Sequence, residues 1–290
     1  MTVSTTFSSR HTDPIATDPT NHDVLRRLGL SAAKCLSAVS LLCAVVPAWS
    51  ATAPALGTNA THGVVAATLN VTAPTTITGD GCYTTLTGAP VITGTTTQPC
   101  PPQRNIDQGT ALASINGQAC TSLGGAAVAL DTINLGSGVG VFPPGCYSSG
   151  GAMSIAAGTV TLNGPGVYIF RSGGTLSSAN NTNVAVTGGA CESDVFWAPT
   201  GATTLGANSS FRGTIFDGVA NAVTVGTTTA IVGRIISFGG VVNLNTDTVT
   251  RPTCVTSLGA TVPTLSEWAL ITFALLIVGI ALYAPRRRFA

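Results

Sequence analysis

Two neighbouring stretches of the chain repeat each other at a fixed offset. In "ATTLGANSSFRGTIFDG" and "AVTVGTTTAIVGRIISFGG", Leu205 corresponds to Val225, Phe211 to Ile231, Gly213 to Gly233 and Ile215 to Ile235, each pair twenty residues apart. Apolar residues that recur at such a period bury themselves by stacking one copy on the next, as in the coils of a solenoid. "VVNLNTDTVTRPTC" reads as a further coil. Short strand-like pieces occur elsewhere: "VVAATLNV", "TVTLN", "GVYIF", "NVAVT", "DVFWA", "AIVGRIISF". Each is rich in Val, Ile, Phe or Thr and bounded by Gly, Asn or Pro. One segment differs. "QRNIDQGTALASINGQACTSLGG" places Ile106, Leu112, Ile115, Ala119 and Leu123 at roughly helical spacing, closed by Gly124 and Gly125, which predicts one helix packed beside the strands.

Composition narrows the function. Of 290 residues only 8% are charged and the formal net charge is +1, about a third of the charge density usual in globular proteins. Recurring valine and isoleucine argue against disorder. Near-zero net charge gives no electrostatic reason to expect nucleic acid as a partner. Enzyme chemistry has few candidates. After residue 50 the chain holds a single histidine, His62, and no lysine, so a Ser-His-Asp arrangement has one possible base. Glu192 and Asp194 are close in sequence but sit at a strand entry, and two acids alone are poor grounds for a glycosidase. Arg171, Arg212 and Arg234 are expected at turns. No enzymatic activity and no cofactor are expected.

The two ends carry addresses. Arg26, Arg27 and Lys34 precede an apolar run over residues 36–46 and the small-residue stretch "PAWSATA", the pattern of a secretory signal peptide with cleavage expected after Ser50. At the other end an apolar run over residues 269–284 is followed by Arg286, Arg287 and Arg288, which predicts a transmembrane helix with cytoplasmic arginines. The motif ahead of it, "VPTLSEW" (Val262, Pro263, Thr264, Leu265, Trp268), resembles the IPTL-CTERM sorting signal, with Val262 for isoleucine and Ala269 for glycine. That resemblance implies a Gram-negative envelope, transient residence in the inner membrane through the C-terminal helix, an exosortase-type protease as partner, and delivery to the cell surface or the medium after tail processing. The expected organisation is a signal peptide with a long leading region (1–50), a solenoid domain (51–254), a linker (255–261) and the sorting signal (262–290). Six cysteines lie in the domain: Cys82, Cys100, Cys120, Cys146, Cys191 and Cys254. An even set in an oxidising compartment predicts disulfides. Fifteen pairings are possible; pairing sequence neighbours, Cys82 with Cys100, Cys120 with Cys146 and Cys191 with Cys254, is the working arrangement. No metal site is expected, for want of zinc-ligand spacing.

Across most of residues 64–254 the chain resembles the bacterial and fungal ice-binding proteins. The resemblance is carried by "FPPGCYSSGGAMSI", "GPGVYIF", "CESDVFW", the "SFRG" and "VGR" turns and the closing "LNTDTVTRPTC". It implies a mainly β fold, a right-handed discontinuous β-solenoid with one helix alongside, that adsorbs to ice or ordered water through a flat Thr/Ser/Ala-rich face. In that family the outward motif is Thr-Ala/Gly-X-Thr/Asn. "TAPT" (Thr72, Thr75) matches it in full, whereas "SSAN" (Ser177, Asn180), "ANSS" (Ala207, Ser210) and "TTTA" (Thr227, Thr228, Thr229) depart from it. These nine residues are the candidate ice contacts. A non-catalytic surface protein that binds glycan or matrix on the same fold is the alternative.

Overall fold

The structure is a computed structural model that describes residues 50–218 and 221–254, with 272, 273 and 276. The chain divides into two units, Met1–Ala48 and Trp49–Ala290, and every described residue belongs to the second. The expected signal peptide, linker and sorting signal lie outside the described residues, except for position 50 and for Thr272, Phe273 and Leu276, which are helical. Among the described residues no helix is long and apolar enough to cross a membrane.

In chain order the strands begin with β1 (His62–Val71), β2 (Thr76–Thr78), β3 (Asp80–Thr87), β4 (Val91–Ile92) and β5 (Thr96–Thr97). The helix α1 (Gln103–Asn116) follows, then β6 (Thr121–Gly124), β7 (Val128–Ala129), β8 (Val141–Phe142), β9 (Gly145–Ser149) and β10 (Met153–Ile155). Next come β11 (Thr159–Asn163), β12 (Tyr168–Ser172), β13 (Leu176–Ser178), β14 (Asn183–Thr187) and β15 (Val195–Pro199). The last are β16 (Thr203–Leu205), β17 (Ser210–Phe216), β18 (Ala222–Val225), β19 (Ala230–Leu244) and β20 (Thr248–Thr250). The ladders between them are parallel, so the chain winds as a solenoid with three strand positions per coil.

Three faces result. Face A stacks β6, β9, β12, β15, β17, β19, β1, β3 and β5. Face B stacks β7, β10, β13, β16, β18 and the second halves of β19, β1 and β3. Face C stacks β8, β11, β14, β17, β19, β20, β2 and β4. The order is discontinuous. Coils climb from residue 121 to residue 250, and the N-terminal strands then add on top, because β19 pairs with β1 and β20 with β2. This covers the edge that the last coil would leave bare, an edge that otherwise invites pairing with another chain.

The twenty-residue repeat holds in space. Leu205 pairs with Val225, and Phe211, Gly213 and Ile215 pair with Ile231, Gly233 and Ile235. Glycine is required where these coils turn. Gly213 has φ +109, and a Cβ on Gly233 would lie 1.8 Å from the Gly213 carbonyl oxygen. Inside, Tyr147, Phe170 and Trp197 stack in register, with ring centroids 5.4 Å and 4.3 Å apart, and Ile215, Ile235 and Val64 continue the column.

Outward apolar residues of face A (Val65, Cys82, Cys146, Ile169, Phe196, Phe216 and Ile236) form a second cluster with Ala111 and Ile115 of the helix. The helix is shorter than the spacing suggests. Gly117 closes it, its amide bonded to the Ala113 carbonyl; Ala119 falls outside, Leu123 belongs to β6, and Ile106 is 60% exposed. Its buried line is Gln108, Ala111 and Ile115. The Gln108 amide joins helix to coil, donating to the Asp217 carbonyl (2.7 Å) and accepting from the Phe238 amide (2.8 Å). Disulfides Cys82–Cys100 and Cys120–Cys146 fasten the chain on either side of the helix to face A, and Cys191–Cys254 closes the C/A corner. The neighbour pairing is the one the structure contains.

Candidate functional site

Face A is covered by α1. Face C is interrupted by an ion pair, Arg212 to Glu192 at 3.1 Å. Among the described residues, face B has neither a covering element nor a charged side chain on its strands. Its strands share one pattern, an inward apolar or buried residue on each side of a small outward one: Met153-Ser154-Ile155, Leu176-Ser177-Ser178, Thr203-Thr204-Leu205, Val223-Thr224-Val225, Val242-Asn243-Leu244, Leu69-Asn70-Val71. The period of two along a strand sends the middle residue outward.

The outward residues fall in register across distant parts of the chain. Ala129 pairs with Ser154, Ser154 with Ser177, Ser177 with Thr204, and Thr204 with Thr224. Thr224 then pairs with Asn243, Asn243 with Asn70, and Asn70 with Thr87. This gives an eight-rung ladder, and at about 4.8 Å per rung its seven intervals span about 34 Å. All eight side chains are small, uncharged and exposed or half-buried. A second outward row, Ala222, Val241, Thr68 and Thr85, runs beside its upper part. The upper rungs are cross-linked: Asn70 Nδ2 donates to Asn243 Oδ1 (3.0 Å) and Asn243 Nδ2 to Thr224 Oγ1 (3.3 Å). Such bonds hold the side chains in one arrangement before any partner arrives.

Of the nine residues singled out from sequence, Ser177 stands on this ladder. Thr72, Asn180, Ala207, Thr227 and Thr228 lie in the turns that join face B to face C, and Ser210 begins a face C strand. Thr75 and Thr229 are corrections: each is 1% exposed and cannot touch a surface ligand. For Thr229 the cause is turn geometry. Asn181, Asn208, Thr228 and Thr246 have φ between +54 and +61, and the residue after each, Thr182, Ser209, Thr229 or Asp247, turns inward and is buried.

Those inward residues form a polar seam under the B/C corner. The Thr182 amide donates to Ser209 Oγ (3.2 Å), the Ser209 amide to Thr229 Oγ1 (3.4 Å), the Thr229 amide to Asp247 Oδ1 (2.9 Å) and the Asp247 amide to Thr75 Oγ1 (3.3 Å). Thr229 Oγ1 also donates to the Gly206 carbonyl at 2.8 Å. Their hydroxyls satisfy backbone groups that burial would otherwise leave unpaired. Sequence reading looked for hydroxyls in the turns and passed over Ala129, Ser154, Thr204, Thr224, Asn243, Asn70 and Thr87. The signal for Ser154, Thr224, Asn243 and Asn70 was the apolar–polar–apolar triplet, visible in "MSI", "VTV", "VNL" and "LNV".

The titratable groups with large shifts lie below the surface. His62 is buried and its pKa falls to about 4, chiefly through burial and then the Arg104 charge. Asp217 is fully buried, and burial raises its pKa to about 6 against the opposing pull of the Thr203 and Asn221 side chains. Burial likewise raises Asp247. Among the described residues, the grouping with metal-ligand spacing is Cys191, Glu192 and Cys254, and its two sulfurs are joined as a disulfide.

Comparison with known proteins bears on the whole arrangement. A family described as "Ice-binding-like" matches residues 50–250, and the "IPTL-CTERM motif" matches residues 260–289. An "Ice-binding protein" of Colwellia sp is 34% identical over 131 residues, 43% of this chain and 50% of that one. "Ice-binding protein 1" of Shewanella frigidimarina (strain NCIMB 400) is 31% identical over 112 residues, 37% of this chain and 12% of that one. The chain thus spans half or less of the length of these relatives. The crystal structure of an ice-binding protein from the Antarctic ascomycete Antarctomyces psychrotrophicus superposes with a TM-score of 0.61 at 25% identity, covering 70% of this chain and all of that one.

Proposed function

The chain belongs to the ice-binding-like family, and from that membership we propose that its solenoid adsorbs to ice through face B. The observation that carries the reading is the eight-rung ladder, small, uncharged and in register from Ala129 to Thr87. Rungs repeat at about 4.8 Å and alternate outward residues along a strand at about 6.7 Å. A grid of methyls, hydroxyls and amides on that scale can hold water in an ordered layer that joins a crystal plane. No proton is moved and no cofactor is needed.

The exposed corner residues Thr72, Asn180, Thr227 and Thr228 would border this face, with Ser177 within it. Glycan or matrix binding is the weaker reading, because such sites use concave pockets with aromatic side chains and the strands of face B carry none. We also read the solenoid as right-handed, the hand of nearly all parallel β-crossovers. Residues 1–50 serve as the export signal, 51–254 as the domain and 255–261 as the linker. The sorting segment (262–290) passes through the inner membrane of a Gram-negative envelope as a helix and meets an exosortase-type protease.

The test is thermal hysteresis and inhibition of ice recrystallisation by the oxidised full chain. Faceted ice growth and measurable hysteresis are expected. Isotropic growth at millimolar protein refutes the reading.

A further inference from the structure

The place where the chain leaves the solenoid is fixed, and it is as far from the ladder as a three-sided cross-section allows. Cys191 lies between β14 on face C and β15 on face A, at the C/A corner. That corner is the one opposite face B. Cys254 is joined to it, and the segment leading there is bound on the way: the Arg251 amide donates to the Thr78 carbonyl at 3.0 Å. Ser193 Oγ donates to the Cys254 carbonyl at 3.3 Å, and Glu192, beside the disulfide, is paired with Arg212. Residue 255, where the tail begins, therefore starts from a riveted point.

We propose that the Cys191–Cys254 disulfide orients the molecule: a chain held by its C-terminal tail presents face B away from whatever holds it. This rests on the ice-adsorption reading for its purpose and on the IPTL-CTERM match at residues 260–289 for the tail as the point of attachment. Reach supports it. The seven residues 255–261 extend to at most about 25 Å. A five-residue strand such as β12 or β15 is about 17 Å long, so a tail leaving the C/A corner uses most of that reach in crossing one neighbouring face. The faces beside the exit are the one under α1 and the one carrying Arg212 and Glu192, so an attachment there costs no ladder contact. A tail released from the disulfide would instead be held last at Arg251, by its amide on the Thr78 carbonyl, and the three further residues 252–254 would let the body roll on its tether.

The experiment uses the full chain biotinylated at its C-terminus and immobilised on streptavidin beads. In a background with Cys35→Ser and Cys43→Ser, single free cysteines are introduced by Thr204→Cys on the ladder and Thr187→Cys, an exposed face C position near the exit. The rate of reaction with a bulky maleimide polymer is compared between bead-bound and dissolved protein. The expected result is an unchanged rate at Thr204→Cys and a several-fold slowing at Thr187→Cys. The contrast should vanish when Cys191→Ser and Cys254→Ser are combined. Slowing at Thr204→Cys overturns the proposal, as does a contrast that persists without the disulfide. This readout does not involve ice, so a failure of ice adsorption is seen separately, as absent hysteresis in the dissolved chain. Capture of beads into slowly growing ice is the functional arm. Capture is expected for C-terminal attachment and lost when the same chain is attached through Thr204→Cys; equal capture by both routes counts against the proposal.

Discussion

Thr224→Tyr puts the ladder to its strictest test. Thr224 is exposed, it lies on an uncharged strand of face B, and it pairs with Thr204 below and Asn243 above. Four rungs lie on one side of it (Ala129, Ser154, Ser177, Thr204) and three on the other (Asn243, Asn70, Thr87). A tyrosine ring standing above the face keeps a rigid crystal plane from resting on both groups at once. The longest continuous contact then drops from seven intervals to three, from about 34 Å to about 14 Å. The same change at the end of the ladder, Thr87→Tyr, leaves seven rungs and about 29 Å. Folding should change little: Thr224→Tyr gives up one exposed bond, from Asn243 Nδ2 to Thr224 Oγ1, worth about 0.5–1.5 kcal/mol at most, and Thr87→Tyr is an exposed change worth about 0.5 kcal/mol or less.

The assay is thermal hysteresis against concentration, with calorimetry to show that the variants fold. Thr224→Tyr should lose more than half of the hysteresis and Thr87→Tyr much less. Thr228→Tyr, in the neighbouring turn, supplies the contrast and should do less harm than Thr224→Tyr. Full hysteresis in Thr224→Tyr together with loss in Thr228→Tyr would refute the ladder and return the site to the corner.

Two further outcomes follow from the buried groups. Thr229→Val removes the donor to the Gly206 carbonyl and the acceptor for the Ser209 amide; it should cost about 1–3 kcal/mol, seen by calorimetry, while hysteresis per folded molecule stays unchanged. His62 and Asp217 should oppose each other with pH. His62, depressed from 6.5 to about 4, favours folding above pH 6.5 and loses that contribution as pH falls toward 4, whereas Asp217, raised from 3.8 to about 6, contributes most below pH 3.8 and loses it as pH rises toward 6. Each window is worth on the order of 3 kcal/mol. Melting between pH 4 and 6.5 should therefore tilt in opposite directions: Asp217→Asn becomes less stable in acid relative to the parent chain, His62→Gln more stable, and parallel profiles would contradict both assignments.

Much of the fold was legible because local rules agreed with the global one. Leu205 and Val225, or Gly213 and Gly233, sit twenty residues apart because one coil is that long there, and the structure pairs them. The helix was legible as an element but not in extent. Ile106 fits an apolar stripe by spacing, yet it faces solvent, and Gln108, a polar residue that no hydrophobic pattern selects, is the one that bridges helix and coil. The candidate site was legible only in kind. Small uncharged residues were expected on one face, but the turn threonines drew attention because they match a motif, and two of them point inward.

Sequence alone determined the strand pattern, the coil length where coils follow one another, the uncharged surface and the cysteine set, since each depends on residues within one or two turns of the chain. The tertiary structure decided which residues share a face. Asn70 meets Asn243 across 173 positions, because the N-terminal strands add to the last coil rather than to the first. No local pattern encodes that insertion; it follows from which exposed strand edge the N-terminal segment completes. It decided the fate of Thr75 and Thr229 in the same way. A left-handed turn residue before Thr229 directs its hydroxyl inward, and the stacked coil at Thr75 places Thr75 Oγ1 against the Asp247 amide. Both become internal hydrogen-bond partners through contacts that exist only once the coils are stacked.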